Sequence, residues 1–233
     1  MSATASVQDR LSDVRKHIAQ TELRFGRKSG SVQLLAVSKT FPVECIVDAI
    51  KAGQRQFGEN YFQEARGKIA DGRLNTEAIE WHFIGPVQGN KAARIACAFD
   101  WVQTVDRLVI AERLNEQRPG HLPPLNVCLQ VNISAEPSKA GVNPEEVRKL
   151  VKAVAQLPRL RLRGLMAIPK PTADFVQQRL PFRALYETFE QLRAEGFPLD
   201  TLSMGMSDDL EAAIAEGATL VRVGTAIFGT RNM

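Results

Sequence analysis

Eight short apolar runs, separated by stretches with helical spacing, constrain this chain more than any other feature. The runs cover residues 33–37, 56–58, 81–84, 101–105, 125–131, 162–167, 202–204 and 220–223. Each is short and bounded by turn or helix-start residues, which is the pattern of strands buried on both faces. Helices between them are predicted to start near Pro42, Tyr61, Asn90, Arg107, Pro144, Pro181 and Asp208. Pro42 and Pro144 suit a first helical turn, where a missing N–H costs nothing. Asn143 before Pro144, and Ser207 before Asp208 and Asp209, are helix-start signals. A further helix over residues 7–25 precedes the first strand, with Val7, Leu11, Val14, Ile18 and Leu23 in near-helical spacing.

Strands alternating with helices imply parallel βαβ units. The 233 residues are enough for one (β/α)8 barrel of the TIM type. An open sheet is the alternative, but no Gly-x-Gly-x-x-Gly follows the first strand. The expectation is therefore a single α/β domain over residues 1–233. The last strand ends so near the C-terminus that little room remains for an eighth helix, and the N-terminal helix is predicted to cover that gap. The net charge of +4 is modest, and no lysine/arginine stripe with interleaved aromatics points to nucleic acid. Cys45, Cys97 and Cys128 have neither zinc spacing nor a disulfide pattern, and read as small apolar residues in a reducing compartment. The first residues lack the basic start and apolar core of a signal peptide. No apolar run is long enough to span a bilayer. A cytoplasmic protein without metal is expected.

The chemistry-bearing residues cluster where strands end. Lys39 follows the run Leu34-Leu35-Ala36-Val37 directly after Ser38. An amine at the mouth of a barrel is partly desolvated, which lowers its pKa and frees its lone pair for imine chemistry; a solvated loop lysine is the alternative. The turns after the last two strands, Ser203-Met204-Gly205-Met206-Ser207-Asp208-Asp209 and Gly224-Thr225, suit a phosphate. Barrels often hold one there on backbone N–H groups. Ser203 or Ser207 can add a hydroxyl, although Ser207 also fits a plain N-cap, and Asp208 and Asp209 are expected to point away. A reactive amine and a phosphate seat on one scaffold point to pyridoxal 5'-phosphate (PLP). Arg222 interrupts an apolar strand and needs a partner, either a pyridine nitrogen or an acidic side chain. An arginine at that nitrogen disfavours ring protonation and makes the cofactor a poor electron sink. Asn60 can reach the ring hydroxyl or imine, or cap the next helix. His82 reads as a satisfied core histidine, and Lys139 as a solvated loop residue.

Six segments together resemble the pyridoxal phosphate homeostasis protein family, also called the proline synthetase co-transcribed family. They are Val37-Ser38-Lys39-Thr40, Phe57-Gly58-Glu59-Asn60, Trp81-His82-Phe83-Ile84-Gly85, Gly164-Leu165-Met166, the seven residues from Ser203 to Asp209, and the eight from Arg222 to Gly229. The likeness runs from about residue 7 to 231. It implies a barrel like the N-terminal domain of alanine racemase, PLP as a Schiff base on Lys39, Arg222 at the pyridine nitrogen, and Ser207, Gly224 and Thr225 at the phosphate. It also implies a carrier or buffer that influences vitamin B6 and amino-acid balance, with no established reaction. The chain departs from the family pattern at Phe41, where many members carry lysine, and at Gly89, where many carry serine. An amino-acid racemase is the rival function, yet racemisation needs a base on each face of the substrate carbon. The only tyrosines are Tyr61 and Tyr186, at the start of a predicted helix and in an outer one. A Schiff-base aldolase is a third reading. Apo PLP-dependent enzymes are the expected partners, and a monomer the expected state.

Overall fold

The computed structural model describes residues 5–74, 78–134 and 140–230. Within them the chain runs α1 (Val7–Arg24), β1 (Gln33–Val37), α2 (Val43–Lys51), β2 (Gln56–Glu59), α3 (Phe62–Ile69), β3 (Glu80–Phe83), α4 (Ala92–Ala98) and β4 (Trp101–Val105). It continues α5 (Leu108–Gln117), β5 (Leu125–Gln130), α6 (Val147–Val154), β6 (Leu160–Met166), α7 (Phe175–Ala194), β7 (Thr201–Ser203), α8 (Leu210–Ala215), β8 (Leu220–Val223) and α9 (Thr225–Phe228). The strands pair in sequence order and close into a barrel. Every pairing is parallel, including the closing pair of β1 with β8, where Leu35 lies opposite Arg222. The barrel predicted from the sequence is thus the fold, and all eight expected strands are present within one or two residues of their predicted ends.

The apolar runs are continuous because both faces are covered. Outward residues such as Phe57, Val102, Leu125 and Leu165 are fully buried under the helical layer. Trp101, Cys128 and Met166, on three successive strands, form a separate apolar cluster. α1 behaves as predicted. Its Leu11, Val14 and Ile18 are buried, and Arg10 donates to the carbonyl of Ile227 in α9 at 2.6 Å. With α9 only four residues long, α1 supplies the helical cover that the β8–β1 seam would otherwise lack.

Short 3-10 turns over Gly89–Lys91 and Pro144–Glu146 open α4 and α6 where starts were expected, whereas two other helix starts differ from expectation. The helix expected near Pro181 begins at Phe175, capped by Asp174, whose carboxylate accepts from the Gln177 N–H at 2.9 Å. Pro181 lies inside it and removes the amide that would have reached Gln177. The cap prevailed because an N-terminal donor is satisfied there, while one proline interrupts one bond. The helix expected from Asp208 begins at Leu210, so Ser207 is not its cap; Asp209 occupies that position. No helix of the described residues is long and apolar enough to cross a membrane.

Candidate functional site

The C-terminal ends of β1, β2, β3, β6, β7 and β8 surround a cavity of about 340 Å³. Lys39, Asn60, Ser207, Arg222, Gly224 and Thr225 all line it, joined by Val37, Ile84, Met166, Ile168, Met206 and Asp208. Six of the seven residues singled out from the sequence therefore converge on one hollow. Ser203 does not reach its wall. It is fully buried, its hydroxyl donates to Gln103 Oε1 at 2.7 Å, and it accepts from Arg222 at 2.7 Å. Its role is to support Arg222 from below.

Lys39 is reached through a constrained turn. Thr40, immediately after it, adopts φ +67°, a conformation β-branched residues rarely take. The turn is held by Lys68 of α3, whose Nζ donates to Ser38 O at 2.7 Å, Glu59 Oε1 at 2.7 Å and Glu64 Oε1 at 2.6 Å. Ser38 Oγ adds a bond to Glu59 at 2.6 Å, and the Thr40 N–H donates to Glu64 at 2.6 Å. Burial pushes the Glu59 carboxyl up in pKa, opposed by the Lys68 charge and by hydrogen bonds from Lys68 and Ser38. Phe41 packs on Phe228 with ring centroids 5.1 Å apart, so the position where the family often has lysine joins the apolar core instead. At Gly89, a Cβ would stand 1.7 Å from Arg113 Nη1, so the missing side chain leaves room for that guanidinium.

Arg222 is almost wholly buried. Its Nη1 donates to Ser203 O at 2.8 Å as well as to Ser203 Oγ, and its Nη2 donates to Ala167 O at 2.9 Å. All these acceptors are uncharged, so the acidic-partner alternative is not realised in a direct bond. Burial lowers the guanidinium to about 10, against the pull of the Asp209 carboxylate. Asp209 itself does not point away from the site turn. Its carboxylate folds back to accept from the Met206 N–H at 2.6 Å, which its proximity in a tight turn allows. Asp208, also expected to point away, lines the cavity. Gly205 takes φ +94°, and a Cβ there would lie 2.5 Å from Ala213 Cβ, so this turn requires glycine.

Asn60 does not cap α3; that helix has Tyr61 at its N-cap, without a side-chain bond. Asn60 Oδ1 is instead buried with no hydrogen-bond partner, on the cavity wall. His82 is the satisfied core histidine expected, bonded to Glu80 and Gln103. Lys139 lies outside the described residues. Among the described residues no cluster of His, Cys, Asp and Glu could hold a metal ion. The sequence reading missed Lys68, Glu64 and Gln103, because their roles depend on which strands and helices meet. It also passed over Met166 and Met206, although both lie within quoted motifs, and it had Asp208 pointing away from a cavity it lines.

The donor set fits PLP. An amine, a buried guanidinium with N–H groups beyond the three bonds described, an unpartnered amide oxygen and the first-turn amides of α9 share one hollow of the right scale. Comparison with known proteins agrees with this chemistry. The model of the alanine racemase N-terminal domain matches residues 11–232. A pyridoxal phosphate homeostasis protein of Escherichia coli strain K12 is 55% identical over 223 residues, covering 95% of each chain. One from Pseudomonas aeruginosa PAO1 is 55% identical over 228 residues, covering 98% of this chain and 97% of its own. The structure of PipY from Synechococcus elongatus PCC7942, with PLP bound, superposes with a TM-score of 0.84 at 36% identity, covering 96% of this chain and all 100% of that one. The chain belongs to the alanine racemase N-terminal domain family and, within it, to the pyridoxal phosphate homeostasis proteins.

Proposed function

We propose that this chain binds pyridoxal 5'-phosphate at the barrel mouth, through a reversible covalent bond to Lys39 Nζ, and serves vitamin B6 homeostasis as a carrier or buffer. The observation that carries the reading is the convergence of Lys39, Asn60, Ser207, Arg222, Gly224 and Thr225 on one cavity. PLP supplies an aldehyde that condenses reversibly with amines. Lys39 would hold it, Arg222 would face the ring nitrogen, Asn60 would donate or accept at the ring substituents, and Ser207, Gly224 and Thr225 would hold the phosphate. The Arg222 charge would keep the ring nitrogen unprotonated, which favours holding the cofactor over stabilising carbanions.

The carrier reading is preferred to a racemase because no tyrosine is among the described residues lining the cavity. Besides Lys39, the one group among the described lining residues that could serve as a base is the Asp208 carboxylate, on the turn proposed to hold the phosphate. Apo PLP-dependent enzymes are the proposed recipients of the cofactor. Residues 1–233 act in this reading as one PLP-binding domain and as a monomer. Its place is the cytoplasm, in keeping with three free cysteines.

The test is intact mass before and after borohydride reduction, with peptide mapping. A phosphopyridoxyl adduct on Lys39, absent from Lys39→Ala, is expected. No adduct after incubation with PLP would overturn the site. Steady turnover of an amino acid, lost in Lys39→Ala, would overturn the carrier role.

A further inference from the structure

Four polar side chains link Arg222 at the cavity to the far end of the barrel. Arg222 Nη1 meets Ser203 Oγ at 2.7 Å, Ser203 Oγ meets Gln103 Oε1 at 2.7 Å, Gln103 Nε2 meets His82 Nδ1 at 2.9 Å, and His82 Nε2 meets Glu80 Oε1 at 2.9 Å. Gln103 is on β4 and Ser203 on β7, which are not neighbours in the sheet. Their bond therefore spans the lumen. Ser203, Gln103 and His82 are each fully buried, and only Glu80, the first residue of β3, is partly open to water.

The two ends dictate the sense of every bond between them. A guanidinium has only donors, so Ser203 Oγ must accept from Arg222. The hydroxyl then has one proton to give, and Gln103 Oε1 takes it. That orients the Gln103 amide with Nε2 toward His82, so Nδ1 must accept. The ring proton is left on Nε2, and it is donated to the Glu80 carboxylate, which has no proton of its own to give. A cation that bonds directly only to uncharged acceptors is thereby connected to a carboxylate through bonds that all polarise the same way.

We propose that Ser203, Gln103, His82 and Glu80 form a one-way hydrogen-bond relay of positioning residues, which fixes Arg222 in a single donor orientation toward the ring nitrogen of the cofactor. The proposal rests on the PLP reading above for its cofactor end. The relay also disfavours a charged His82. A proton on Nδ1 would have to meet the Gln103 amide turned over, and the Ser203 hydroxyl would then lose its acceptor. Ordinary core packing would need none of these senses to agree.

The experiment has two readouts. In cofactor-free protein, nitrogen-15 NMR of His82 reads the tautomer directly. The relay requires a protonated Nε2 and a bare Nδ1, and Gln103→Glu, read at a pH where its side-chain carbon-13 shift shows an ionised, acceptor-only carboxylate, must move a proton onto Nδ1. A wild-type ring carrying its proton on Nδ1, or no change in Gln103→Glu, overturns the relay whatever the cofactor. In PLP-loaded protein, the absorption spectrum and PLP affinity are compared for Arg222→Gln, Gln103→Leu and Glu80→Gln. All three spectra are expected to shift in the same direction, with affinity in Gln103→Leu about tenfold weaker. A shift in Arg222→Gln alone overturns the relay and leaves the PLP reading intact. No shift in Arg222→Gln overturns the placement of Arg222 at the ring nitrogen, and the NMR readout then decides the relay by itself. Glu80→Gln, at the water-exposed end, keeps the test available should Gln103→Leu fail to fold.

Discussion

His82 carries a cost that depends on pH. Burial drives its imidazole below the ordinary value of 6.5, and the hydrogen bond and charge of Glu80 oppose that shift without cancelling it. Asp100 also favours the charged ring and Arg163 disfavours it, while the ring stacks on Trp101 with centroids 5.0 Å apart. The folded chain therefore holds the neutral form below the pH at which the unfolded chain takes up a proton. Stability from this residue is full above about 6.5 and is lost as the pH falls toward the depressed folded value. The slope in that window approaches about 1.4 kcal/mol per pH unit for one proton. Urea titrations between pH 8 and 5 are expected to show His82→Gln losing less stability on acidification than the wild type. Parallel curves would mean the ring is not kept neutral. From sequence His82 was legible as a core residue, since Trp81 and Phe83 flank it. Its partner Gln103 was not, because an amide on a buried strand announces nothing until the barrel closes around it.

The element that presents Lys39 is a turn tied down by an outer helix. Lys68 spans from α3 to Ser38, Glu59 and Glu64, and the pair with Glu59 is almost completely buried. Replacing both members of such a pair by apolar residues can be nearly neutral, but removing one strands a buried charge. Lys68→Met is expected to destabilise by about 3–5 kcal/mol, read by urea denaturation. The added change Glu59→Gln should recover much of that loss. A cost under about 1 kcal/mol for Lys68→Met, the range of an exposed pair, would mean that water reaches the cluster. PLP affinity should fall with the single change, because the left-handed turn at Thr40 persists only while its surroundings impose it. The spacing of Glu64 and Lys68 on one helix face was visible in the sequence, but an i,i+4 pair reads as solvated surface. Helix positions follow the same rule. Pro181 was legible and misleading, because Asp174 provides a capping bond that spacing alone does not reveal.

Across the whole molecule, the barrel is closed where its first and last strands pair. β1 leads into the turn to Lys39 and β8 carries Arg222, so the two residues proposed to hold the cofactor come from the strands of the closing pair and line one cavity. Eight apolar runs identified the strands because parallel strands buried on both faces need no alternation. Closure was inferred from length and the missing dinucleotide fingerprint, and the short tail after β8 pointed to α1 as the substitute cover. What the sequence could not convey was that α1 packs on α2, α8 and α9, the helices flanking β1 and β8, which predicts that it also supports the site. Leu11, fully buried in α1, tests that link. Leu11→Ala should cost about 2–5 kcal/mol. For a chain of this size that is a fall in melting temperature of roughly 2–4 °C per kcal/mol. If α1 holds the seam, PLP affinity should fall as well, measured at a temperature where the variant is fully folded. Leu150→Ala, in α6 on the far side of the barrel, should lower the melting temperature and leave affinity unchanged. Equal losses of affinity in both variants would assign the effect to general loosening of the barrel rather than to the seam.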